Sequence, residues 1–460
     1  MEAAHKYNPL VEGPVAPTLF RFALPFMLSS LLQSLYGAAD LFVVGQYSGA
    51  AAVSGVSIGS QLMQTVTALV LALSMGGTVL IGNRIGEKDY GGAARAIGTT
   101  AVLFALIAAV MTPVMLLCTD LGVALMQTPE EAAADCAVYV RICSAGLPFI
   151  VGYNALSGIF RGLGDSKTPV LFVAVACAVN IGADLLLVGV LRMGAAGAAA
   201  ATITAQELSF FAALIYMGKK GFGFPFSRRE HLRLDKPSAK RILKVGAPLA
   251  LQSTATHLSF MIISAIINTM GLIASAAVGV AEKIIAFAFL PPDAFASGVA
   301  AMTAQNLGAG QPRRALDSLK WGILFSLVSG TAVCVFANLF PSLLPAIFTP
   351  DEAVIRAAGD YLRTYTIDCV LVSFVFCFNN YFSGCGRAMI SMIHNIIATF
   401  AVRIPVTVWM SKVPGGSLTE MGLAAPAASF LSILICTGYF LWLKKKEKKE
   451  KNEQKEPENG

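Results

Sequence analysis

The chain has 460 residues, of which 56% are hydrophobic and 13% charged, with a mean hydropathy of +0.68 and a formal net charge of +7. Soluble domains hold about 45–50% apolar residues even with glycine counted, and roughly 25% charged ones. This composition therefore excludes a soluble fold, a soluble nucleic-acid binder, and disorder anywhere but the lysine-rich C-terminus.

A helix that crosses the hydrocarbon core needs about 20 mostly apolar residues. Twelve such stretches follow one another, at 17–45, 51–81, 93–118, 135–159, 168–190, 194–217, 241–269, 274–303, 319–346, 358–383, 389–410 and 421–443. The predicted fold is an all-α membrane protein with twelve transmembrane helices in two six-helix lobes. The expected divisions are an N-terminus at 1–16, an N-lobe at 17–217, a linker at 218–240, a C-lobe at 241–443 and a disordered basic tail at 444–460. The tail carries seven lysines, which also suit attraction to anionic lipid.

Ionisable side chains are costly inside a bilayer, so each one in a span is a candidate for function. In the first span Gln33, Tyr36 and Asp40 share a face with Ser29. Asn154 of the fourth span is a candidate to line a cavity. In the fifth, Asn180 and Asp184 lie one turn apart, as do Thr202 and Gln206 in the sixth. Two carboxylates, an amide and a hydroxyl are hard oxygen ligands, suited to a proton or a hard cation such as Na⁺ rather than a soft metal. Burial and a second carboxylate nearby both favour the neutral form of a carboxyl, so such a pair can take up a proton. In the second half, Gln252, His257, Glu282, Asn379 and Asn380 are intramembrane polar residues, and Asp368 and Arg403 are placed to pair.

The loops order the topology. The even-numbered gaps and both ends hold 27 of the 34 basic residues, which predicts both termini on the cytoplasmic side. The halves repeat. Ala23-Leu24-Pro25 is answered by Gly246-Ala247-Pro248, Asn83-Arg84-Ile85-Gly86 by Gln305-Asn306-Leu307-Gly308, and Arg161-Gly162-Leu163-Gly164 by Ser383-Gly384-Cys385-Gly386. An even number of spans per repeat gives both halves one orientation, a parallel pseudo-two-fold arrangement found among secondary transporters. No phosphate-binding loop, H-E-x-x-H helix or nucleophile elbow is present. An enzyme is not expected, nor a cofactor. The nine cysteines form no C-x-x-C pair and read as small buried hydrophobes.

These residues resemble the multidrug and toxic compound extrusion (MATE) family over essentially the whole chain. The resemblance rests on Pro25, on Asp40 followed by Val43-Val44-Gly45, on Ala52-Val53-Ser54-Gly55, and on Gly82 to Gly86. It also rests on Arg161 to Pro169, on Asn180 with Asp184, and on Gly194 to Thr202. It implies that Asp40, Asn180, Asp184 and Thr202 form the N-lobe cation site of the DinF-like branch, holding H⁺ or Na⁺. The seventh span lacks the acid that other branches carry. The implied protein is a monomeric antiporter in the bacterial inner membrane. It would export organic, often cationic, compounds by alternating access, with Pro25 as a hinge and Gln33, Tyr36, Asn154, Gln206, His257, Glu282 and Asn379 as candidate substrate contacts. A flippase for a lipid-linked precursor is the alternative on the same fold, and would want a cluster of arginines in the spans.

Overall fold

The computed structural model describes residues 8–412 and 418–453. Helices account for nearly all of them, and no strand occurs among the described residues. The first repeat comprises α1 (Val15–Tyr47), α2 (Ala50–Gly86), α3 (Tyr90–Leu117), α4 (Thr119–Leu125), α5 (Glu130–Ala145), α6 (Leu147–Gly162), α7 (Lys167–Asp184) and α8 (Gly194–Lys220). The short α9 (Arg228–His231) leads to α10 (Lys236–Asn268), α11 (Leu272–Ala288), α12 (Leu290–Gly308) and α13 (Pro312–Leu339). Then come α14 (Leu343–Ala346), α15 (Glu352–Gly384), α16 (Ala388–Ala398), α17 (Ile404–Lys412), α18 (Leu418–Met421) and α19 (Ala424–Glu453).

Eleven helical segments are long and apolar enough to cross a membrane, and the pair α5 and α6, bent by 53° at Gly146, makes a twelfth when counted as one span. The break has a local cause: Pro148 in the first turn of α6 removes a backbone donor that a continuous helix would need. Pro25 and Pro248 instead lie inside α1 and α10 at matching positions of the two repeats. Six cysteines are buried and all nine are free thiols.

The tail differs from expectation. The last helix runs on to Glu453 instead of ending near Leu443. Lysine and glutamate are good helix formers, and extending a helix already formed in the span avoids the cost of a new nucleus. The rest of the tail lies outside the described residues.

Two compact units divide the chain. One comprises Met1–Thr254, Ser297–Trp321 and Ser383–Ala388, and the other Ala255–Ala296, Gly322–Phe382 and Met389–Gly460. The first unit thus takes in the whole first repeat and three pieces of the second. Glycine makes that possible. A Cβ on Gly86 would strike the Gln305 carbonyl, and one on Gly308 would strike that of Asn83, so the ends of α2 and α12 touch backbone to backbone. Carboxamides tie the same seam. Gln305 Nε2 donates to the Gly162 carbonyl over 2.9 Å, and its Oε1 accepts from Asn8 Nδ2 at 3.0 Å. Asn306 Nδ2 donates to the Leu10 carbonyl at 2.9 Å.

Within this unit α2 packs on α5 and α6, while α7 lies against α1 and α8. The first eight residues of α8 are all Gly or Ala, with Gly197, Ala198, Ala199 and Ala201 buried. Small residues let membrane helices approach closely, and that approach carries Thr202 to the first span. In the second unit, Ile263 and Ile267 of α10, Val278, Ala281, Ile284 and Ile285 of α11, and Tyr361, Leu362 and Tyr365 of α15 share one buried cluster with Met421 and Ala425.

Candidate functional site

Asp40 sits in the second half of α1 and is only 3% exposed. Thr202 Oγ1 of α8 donates to its Oδ2 across 3.1 Å. Asn180 and Asp184, one turn apart on α7, are its other polar neighbours. They are 1% and 0% exposed. The two helices that flank α7, namely α1 and α8, therefore bring Asp40 and Thr202 to its buried face.

The group is short of partners. Asp40 Oδ1, Asp184 Oδ1 and Oδ2, and both polar atoms of Asn180 are buried with no hydrogen bond. Each such orphan costs about 1–3 kcal/mol, and more if charged, so the protein maintains an unfavourable arrangement here. A proton shared between the carboxyls, or a small hard cation among the four oxygens, would satisfy it. Among the described residues no group of three or more His, Cys, Asp or Glu side chains is arranged to hold a metal ion.

Asp184 is also the last residue before a π-helical segment, Leu185–Val190, in which Leu191 N bonds back to Leu186 O. Such segments hold one extra residue in the turn and concentrate at functional positions. Close by, Gln206 Nε2 donates weakly to Tyr36 OH at 3.4 Å, and Ser60 Oγ donates to Tyr139 OH at 3.2 Å.

A cavity of about 60 Å³ opens in the same unit, lined among others by Phe26, Ser29, Gln33, Asn154, Ser157 and Arg161. Two of the expected substrate contacts, Gln33 and Asn154, are in its wall. Tyr36 and Gln206 hold each other nearer Asp40. His257, Glu282 and Asn379 belong to the other unit, where Asn379 is packed inward, its Oδ1 2.6 Å from His394 Nε2.

The sequence marks Arg161 as a basic loop residue of the repeat and of the family resemblance, not as a site residue. It is 5% exposed, and its NH2 donates to Ser74 Oγ at 3.1 Å and its NH1 to Ser157 Oγ at 3.4 Å. Its guanidinium lies 5.6 Å from the Phe26 ring centroid. The one available signal is Ser157, a helical turn before it. The Asp368–Arg403 pair also resolves differently. Arg403 donates to Tyr365 OH at 3.1 Å and stacks on Phe260 at 4.3 Å, while Asp368 keeps Oδ1 buried without a partner.

Comparison with known proteins agrees with this architecture. Residues 25–186 and 248–409 each match the MatE family, one match per repeat. "Probable multidrug resistance protein YoeA" of Bacillus subtilis (strain 168) is 26% identical over 451 residues, covering 95% of this chain and 97% of that one. "Probable multidrug resistance protein YpnP" of the same organism is 27% identical over 412 residues, covering 90% and 92%. A solved structure described as the outward-facing conformation of a multidrug resistance MATE family transporter of the MOP superfamily superposes with a TM-score of 0.88 at 22% identity, over 98% of this chain and 99% of the other. With both repeats matched in order and nothing enzymatic among these relatives, the chain is a membrane transporter that belongs to the MatE family.

Proposed function

We propose that the protein is a secondary active antiporter that exports organic compounds from the cell, driven by inward movement of H⁺ or Na⁺ through the Asp40 site. The carrying observation is the set of buried, unpartnered oxygens on Asp40, Asn180 and Asp184 beside the Thr202 hydroxyl. A site built that way gains most from a small cation and least from being empty. The ion binds from outside, and substrate binds in the cavity of the same unit. Coupling arises because the two ligands favour different conformations, with Pro25 in α1 as the hinge between them. The relatives' multidrug-resistance names support a broad range of xenobiotic substrates. The distribution of lysine and arginine supports an inner-membrane protein with both termini in the cytoplasm. The set of site side chains supports membership of the DinF-like branch, and the protein acts as a monomer in this reading.

The test is efflux of a fluorescent organic cation in inverted vesicles, with H⁺ and Na⁺ gradients imposed separately. One gradient drives transport in the native protein, and Asp40→Asn abolishes the drive while the protein still purifies folded. Coupled transport at the native rate by Asp40→Asn overturns the assignment.

A further inference from the structure

The repeat gives each site residue a counterpart. The two matched stretches begin 223 residues apart, at 25 and 248, and end 223 residues apart, at 186 and 409. At that displacement Asp40 falls on Ile263, Asn180 on Arg403 and Asp184 on Thr407. All three counterparts line a single pocket of the second unit, together with Tyr361 and Tyr365. The three counterparts thus meet around one pocket, as Asp40, Asn180 and Asp184 meet in the first repeat, but the chemistry is inverted. Both carboxylates have gone, and a guanidinium stands in the place of the amide.

Arg403 is part of the lining of this pocket. Only about 10 Å³ remains free, no more than one water requires. Arg403 donates to Tyr365 OH at 3.1 Å and lies 4.3 Å from the Phe260 ring centroid. Asp368 and Glu282 are near enough to interact with its charge without forming an ion pair with it. A cation facing an aromatic ring, a phenol and two carboxylates one layer away is the setting in which a free organic cation would bind. Here the cation belongs to the chain.

We propose that the Arg403 pocket is the degenerate counterpart of the Asp40–Asp184 site, and that the guanidinium of Arg403 is its covalently tethered occupant. The second half then holds permanently what the first half binds and releases, so coupling runs through the first half alone. The last step rests on the proposed function above, whereas the tether does not.

Removing the tether should leave a vacant cation pocket. The experiment measures the thermal unfolding midpoint of purified Arg403→Ala against methylguanidinium chloride at millimolar concentrations, with equal tetramethylammonium chloride as control. Methylguanidinium raises the midpoint of Arg403→Ala saturably and leaves the native protein unchanged. Its apparent affinity falls at least tenfold when Asp368→Asn is added. No saturable shift in Arg403→Ala overturns the proposal. Should the alanine variant fail to fold, Arg403→Lys and Arg403→Gln decide. A tethered cation predicts that lysine keeps the native midpoint better than glutamine, and equal loss in both overturns it. Because these readouts need no transport, a tether that fails while Asp40→Asn still uncouples leaves the antiporter reading intact. The reverse pattern condemns that reading alone.

Discussion

Thr202 donates its hydroxyl proton to Oδ2 of Asp40 at 3.1 Å, joining two helices through residues 162 positions apart in the chain. It leaves Oδ1 buried without a hydrogen bond, with Asn180 and Asp184 as the carboxyl's other polar neighbours. The hydroxyl therefore orients the carboxyl and offers its own oxygen lone pairs to the same space. Thr202→Val keeps the shape and removes both. A hydrogen bond to a charged group contributes about 1.5–3 kcal/mol, so the half-saturating concentration of the coupling ion should rise roughly tenfold or more. The maximal rate should change less. An unchanged ion dependence of efflux would show that Thr202 only packs.

Asp184 tests whether the site is held at a cost to stability. Both of its oxygens are buried without partners, and an uncompensated polar group destabilises the folded state. Asp184→Asn removes the possibility of a buried charge while keeping nearly the same volume. We expect gradient-driven efflux to be lost while the thermal midpoint holds or rises. A midpoint lower by more than a few degrees would mean that Asp184 is part of the scaffold.

Much of this is legible in the sequence. Apolar runs mark the spans, and helical spacing marks the shared faces of Asn180 with Asp184 and of Tyr36 with Asp40. That α1, α7 and α8 meet is not legible from spacing, because helix packing depends on surfaces that periodicity does not describe. The burial of Arg161 is illegible for a related reason. This residue closes a helix next to a loop, where arginine is ordinarily solvated, and its burial depends on Ser74 of another span. The sequence places Arg403 to pair with an acid, but an aromatic ring and a phenol take it instead. The compact units are not legible either, since they depend on contacts to backbone that only glycine permits.

Those glycines make a steric prediction. A Cβ at Gly86 or Gly308 would collide with a carbonyl across the seam, and backbone cannot step aside as a side-chain end can. Overpacking costs about 1–3 kcal/mol or more, so Gly86→Val and Gly308→Val should each lower the thermal midpoint. A Cβ on Gly279 in α11 would instead meet nothing within 4 Å. There Gly279→Ala should be neutral or stabilising by roughly 0.5–1 kcal/mol, since alanine favours helix. Equal behaviour at the three sites would contradict a backbone-to-backbone seam.

Asp165, in the turn between α6 and α7, supplies a pH-dependent contribution outside the spans. Burial pushes its carboxyl upward, but the Thr168 hydroxyl and backbone, helped by Lys220, outweigh that and hold it below the usual carboxylate range. Oδ1 accepts from Thr168 N at 3.0 Å and Lys167 N at 3.2 Å, and Oδ2 from Thr168 Oγ1 at 2.6 Å. This caps the helix that carries Asn180 and Asp184. The sign follows from the depressed value. The stabilisation is complete above the ordinary aspartate range near 4 and is lost as pH falls through the lower folded-state value. The Lys220 contact, at 3.3 Å and largely solvated, adds little. Asp165→Ala should cost about 0.5–2 kcal/mol at neutral pH, as loss of a helix cap does. Thermal midpoints of the variant and the native protein should converge as pH drops from about 6 toward 3. A gap that persists undiminished at the acid end would assign the loss to packing rather than to the charged cap.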